Sequence, residues 1–176
     1  RRDRKTGEAF LEMLRADVAE RHARVGGAVC VQEPNVKEGV GGLRDLHAVL
    51  WVAQARHGSR GLADARAAGL LSAREHPAAL RASDFLLRVR AEAHFVTGRE
   101  TDVLTLDQQP AVAGSLGYED SRGLLASELF MRDYYRRASD LHGVFRSVLR
   151  RPPEEAPRRL FAALTKRRPG RDFQVR

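Results

Sequence analysis

The sequence predicts an all-α fold: a helical bundle of about five to seven helices with one glycine-rich loop and little or no strand. Three observations carry this. Apolar residues recur at helical spacing along most of the chain. Glycines, prolines and capping residues punctuate the stripes where helices should start and stop. Val29-Cys30-Val31 is the one short β-like run.

Phe10, Leu14 and Val18 fall at i, i+4 and i+8, with Asp17–Arg21 and Glu20–Arg24 as acid-before-base pairs one turn apart. This helix should end at Gly26-Gly27. The next begins near Leu43, carries Leu43, Leu46, Leu50 and Ala53 on one face and stops near Gly58. Ser72 and Glu75 have the spacing of a capping box before a long helix through Phe85, Val89 and Phe95. Pro77 either kinks its first turns or marks its true start. Asp107 is placed to cap a short helix ending at Gly117. Phe130, Tyr134, Ala138, Leu141, Phe145 and Val148 advance 18 residues, five turns at the α-helical period. Pro152-Pro153 closes that helix. The division expected is a helical domain over 1–151 and a basic linker over 152–176, with room for one short helix from Glu154 to about Lys166.

Hydrophobic residues make up 43% of the 176, enough for a core in one domain. No apolar run approaches the ~20 residues of a membrane helix. The single Cys30 excludes an internal disulfide and suits a reducing cytoplasm, the expected location. The net charge of +8 is concentrated at one end: residues 146–176 hold ten basic and three acidic side chains. With only Phe161 and Phe173 as aromatics there, no base-stacking array exists, which argues against nucleic acid and for a solvated basic linker.

The densest polar pattern is Gln32-Glu33-Pro34-Asn35-Val36-Lys37-Glu38-Gly39-Val40-Gly41-Gly42-Leu43-Arg44-Asp45-Leu46-His47. Gly39, Gly41 and Gly42 permit positive φ and can turn N–H groups toward one point, ahead of the positive end of a helix dipole. Such a loop can hold an anion, though it matches neither the dinucleotide fingerprint nor the P-loop. Two readings stand side by side. One is a connector fixing a sharp helix entry. The other is a substrate-facing or domain-facing loop made of Glu33, Asn35, Lys37, Gly39, Gly41, Gly42, Arg44, Asp45 and His47. In the second, Lys37 and Arg44 contact an anion or interface, and Asp45 partners either.

Elsewhere the residues favour structural roles. His22, His57 and His76 read as surface residues near helix ends, and His94 and His142 as packed beside apolar stripes. Asp133 can pair with Arg136 or Arg137, and Cys30 between two valines reads as a buried small hydrophobe. Trp51 and Tyr134-Tyr135 read as core or domain-interface residues. No catalytic triad and no metal cluster can be assembled.

The run from Glu33 to His47, continuing into Leu50-Trp51-Val52-Ala53, closely resembles the bacterial PII-protein uridylyltransferases, bifunctional uridylyl-removing enzymes of nitrogen regulation. The resemblance continues through Phe85–Arg90, Leu106–Gln109, Leu116–Tyr118, Met131–Tyr135 and the closing Asp172–Arg176, so it covers nearly the whole chain. It implies the helical region after the nucleotidyltransferase domain. It also implies a parent enzyme moving UMP from UTP to the PII signalling protein with magnesium, and removing it again. The family's transfer chemistry needs a Gly-Ser turn followed by Asp-x-Asp, and its hydrolase half needs a His-Asp site. Neither occurs here, since Gly58-Ser59 and Gly114-Ser115 lack the carboxylate pair and no His-Asp dipeptide exists. The expectation is therefore an excised middle piece, inactive alone and a monomer or weak dimer, binding no cofactor itself. Its partners would be the adjacent nucleotidyltransferase and metal-hydrolase domains, and through them PII and UTP. A non-catalytic spacer and a stand-alone helical interaction module are the alternatives.

Overall fold

The computed structural model describes residues 2–151, and side chains from residue 9 onward. The linker and helix expected beyond 151 lie outside the described residues. Six helices follow in order: α1 (Arg2–Arg24), α2 (Leu43–His57), α3 (Leu62–Ala67), α4 (Glu75–Thr97), α5 (Gln109–Ser115) and α6 (Ala126–Arg150). Among the described residues, β structure is limited to isolated bridges, Asn35 with Val103 and Ser121 with Leu124. Val29–Val31 forms no strand.

The expected punctuation is present. Gly58 takes φ 65° and closes α2, its N–H bonding Gln54 O. The N–H of Ser72 donates to Glu75 Oε2 at 2.7 Å and that of Glu75 to Ser72 Oγ at 3.2 Å, a reciprocal cap before α4. Pro77 is the third residue of that helix, where a missing N–H breaks no intrahelical bond. Asp107 does not cap α5; its carboxylate accepts the Thr105 hydroxyl at 2.5 Å instead.

Helix α6 is the spine. All six residues of its predicted stripe are buried. Phe130, Tyr134, Ala138 and Leu141 meet Leu86 and Val89 of α4, Val112 of α5, and Leu43 and Leu46 of α2 in one cluster. Phe145 and Val148 join a second cluster with Leu11, Leu14 and Val18 of α1 and Val49 and Val52 of α2. Each fully buried aliphatic side chain is worth roughly 1.5–3 kcal/mol, so the two clusters joined along α2 and α6 fix the position of the segment between α1 and α2. Phe95 departs from expectation. It is 79% exposed, on the side of α4 away from both clusters.

Candidate functional site

The glycine-rich segment is held from inside. Asn35 Oδ1 accepts the N–H groups of Lys37 at 3.0 Å and Glu38 at 2.7 Å, the side-chain turn that Asn favours. Val36 N–H donates to Asp102 O and Leu104 N–H to Pro34 O, while Glu33 Oε1 accepts the Leu106 N–H at 2.9 Å. Gly39 N–H donates to Asn35 O, Gly42 N–H to Gly39 O, Leu43 N–H to Val36 O, Arg44 N–H to Lys37 O and Asp45 N–H to Gly42 O. Gly41 N–H donates to Asp45 Oδ2 at 2.8 Å. The donors that an anion cradle would need are thus bonded within the protein.

The glycines serve close approach more than positive φ. Only Gly41 is left-handed, at φ 75°, contrary to the expectation for all three. A Cβ at Gly41 would lie 2.1 Å from Ala138 O, at Gly39 2.4 Å from Asn35 O, and at Gly42 within 2.9 Å of three backbone carbonyls. The loop packs backbone to backbone against α6 and against itself.

Asp45 is a correction of a different kind. It partners neither Lys37 nor Arg44. It is fully buried, taking Arg21 Nη2 at 2.7 Å and His22 Nε2 at 2.8 Å on Oδ1, with His142 Nδ1 at 3.4 Å from Oδ2. Burial opposes its ionisation, but hydrogen bonds from His142, His22 and Arg21 outweigh that and hold the carboxyl well below its ordinary range. Arg21 also donates to Glu38 O at 2.7 Å, so it faces the loop and not Asp17. His22 is no surface residue: its ring packs on Phe145 and lies 5.7 Å from the His142 ring. One carboxylate therefore ties the end of α1, the loop, α2 and α6 together.

The remaining predicted residues point outward. Lys37 Nζ lies 3.3 Å from Asp102 Oδ2, and Arg90 Nε lies 2.6 Å from Oδ1 of the same carboxylate. Arg44 Nε lies 3.2 Å from Glu38 Oε1 with its side chain 39% exposed. His47 is exposed one turn further along α2, with Trp51 beyond it and their ring centroids 6.1 Å apart. Partial burial and the charges of Arg44 and Lys37, opposed by Glu38, lower the His47 pKa, which favours the neutral ring. Arg44 and Trp51 also line a cleft of about 270 Å³ between α1 and α2, with Asp17, Arg21, Arg24 and Glu38.

Two further expectations fail. Asp133 accepts the Tyr118 hydroxyl at 3.2 Å, while Arg137 pairs with Asp140. Cys30 is exposed, because its segment makes no sheet that would bury it.

The model of the family described as GlnD PII-uridylyltransferase matches residues 9–149. The chain belongs to that family. Among its curated relatives, the bifunctional uridylyltransferase/uridylyl-removing enzyme of Cereibacter sphaeroides is 44% identical over 136 residues, 77% of this chain and 15% of the relative. The enzyme of the same name from Rhodospirillum rubrum is 38% identical over 166 residues, 93% of this chain and 18% of the relative. That from Caulobacter vibrioides is 43% identical over 136 residues, 77% of the chain and 14% of the relative. The chain thus spans less than a fifth of the length of these relatives. No solved structure matches it. No helix among the described residues is long and apolar enough to cross a membrane.

Proposed function

We propose that this chain is the helical segment of a bifunctional PII uridylyltransferase, and that its glycine loop presents Lys37, Arg44 and His47 to the nucleotidyl-transfer cleft. The observation that supports this is a division of labour within one motif. Asn35, the three glycines and Asp45 are consumed in holding the backbone. Lys37, Arg44 and His47 stand outside on a frame that cannot shift without breaking the Asp45 cluster. Positioned cations of this kind stabilise charge that develops during phosphoryl transfer. Arg44 supplies a planar fork and Lys37 a mobile point charge.

The magnesium implied by the family does not fit the residues described here. Among them no group of three or more His, Cys, Asp or Glu is arranged to hold a metal. Asp45 is occupied by Arg21 and the two histidines, and Asp102 by Arg90 and Lys37.

Lys37→Ala and Arg44→Ala in the full-length enzyme test the proposal. Loss of a contact to a charged group costs about 1.5–3 kcal/mol, so UMP transfer to PII should fall about tenfold to a hundredfold. The thermal midpoint should hold. A normal transfer rate in both variants, or a loss that merely follows unfolding, makes the loop a structural connector.

A further inference from the structure

The outer face of α4 is built unlike that of its neighbour. On α6 the exposed positions include Arg132, Arg136, Ser139, Gly143, Arg146 and Arg150, a solvated face. On α4 the inner face is apolar, with Ala82, Phe85, Leu86, Val89 and Ala93 in the core. The outer face carries a second apolar row among charged residues: Leu80 is 46% exposed, Leu87 53% and Phe95 79%, with exposed Ala91 between the last two and the exposed Asp84–Arg88 ion pair alongside. With Asp84 these positions run i, i+4, i+7, i+11 and i+15, one row along the helix. Aligned exposed apolar residues of this size, rimmed by polar ones, mark an interaction surface.

The row is also continuous with the candidate loop. Arg90, three residues from Leu87, stands on its flank and shares Asp102 with Lys37. Val103 is 38% exposed and Leu106 53% exposed; these two residues extend apolar surface along the segment bonded to Asn35 and Glu33.

We infer that the outer face of α4 seats another folded domain of the same polypeptide, which lays an apolar patch over Leu80, Leu87, Ala91 and Phe95. The occupant follows from length. The matched segment is 15% of the Cereibacter relative and 18% of the Rhodospirillum relative, so most of such a polypeptide is available to cover the face. The inference rests on the segment belonging to an enzyme of that length. It does not require Lys37 or Arg44 to act in catalysis.

The test is thiol labelling of the full-length enzyme carrying Leu87→Cys or Phe95→Cys, read peptide by peptide. Met13→Cys and Leu125→Cys serve as references, these positions being 64% and 57% exposed. The faster reference sets the rate for open surface. Cysteines at 87 and 95 should react at least about tenfold more slowly than it, at both about 1 µM and about 50 µM enzyme, because intramolecular cover does not depend on concentration. Labelling as fast as the reference overturns the inference and leaves the glycine-loop proposal to its own activity test. Protection that disappears on dilution also overturns it, by assigning the face to a second copy of the chain.

Discussion

Replacing Asp45 by alanine should be the most damaging single change to the frame around the glycine loop. The substitution strips the partner from Arg21, whose side chain is only 6% exposed, and from the Gly41 N–H, His22 and His142. Breaking a buried ion pair by removing one partner costs about 3–5 kcal/mol, and Arg21 would keep only the Glu38 carbonyl and a Glu38 carboxylate 4.0 Å away. Against a total stability of roughly 5–15 kcal/mol, that is about a fifth of the fold or more. At about 2–4 °C per kcal/mol for a chain of this size, the midpoint should drop by about 10 °C. Urea unfolding of the chain would supply the free-energy difference directly, with Asp45→Asn as the milder partner that keeps the shape and loses the charge. The order expected is alanine worse than asparagine, and both worse than Lys37→Ala or Arg44→Ala, whose half-exposed, ion-paired side chains should cost under about 1 kcal/mol. A loss below about 1 kcal/mol for Asp45→Ala would refute the claim that this carboxylate ties four segments together.

Acid should expose the same dependence. The folded-state carboxyl of Asp45 lies below its ordinary value of 3.8, so its contribution is present above that pH and is lost progressively as the pH falls below it. Glu75, opposed by burial but held down to about 2 by Ser147, Ser72 and Arg151, behaves alike between its ordinary 4.5 and 2; Glu75→Gln should flatten the stability profile over that window. Gly41→Ala should cost at least about 2 kcal/mol, from left-handed strain and the approach to Ala138 O. Gly114→Ala, in a helix with nothing near its Cβ, should stabilise by about 0.5–1 kcal/mol in the same unfolding assay. Cys30, being exposed, should titrate with a thiol reagent in the folded protein as readily as in denaturant.

The helices were legible because their signals are local. The α6 stripe, the Gly58 stop and the Ser72–Glu75 cap each lie within a few residues of what they determine. Phe95 misleads for the same reason: a helix with an apolar row on its outer side as well as its inner one gives no periodic signal saying which row is inside. The loop was legible as a motif and not as a mechanism. Its glycines suggested positive φ, whereas Gly39 and Gly42 are needed because carbonyls crowd their Cβ positions, a fact of tertiary packing. Asp45 was assigned to its sequence neighbours, yet Arg21, His22 and His142 reach it from two other helices. No spacing rule joins a residue on α2 to the last turn of α1 and the middle of α6. Polar residues in the final turn of α1, beside an apolar stripe, were the one available hint.

The measurement that bears most directly on the proposed role compares two activities of one variant. In full-length Arg44→Ala enzyme, UMP transfer to PII and UMP removal from PII are assayed side by side. A side chain serving the transfer cleft predicts transfer lowered at least about tenfold, the worth of about 1.4 kcal/mol, with removal unchanged. Equal loss of both activities, or loss of neither, would contradict the account.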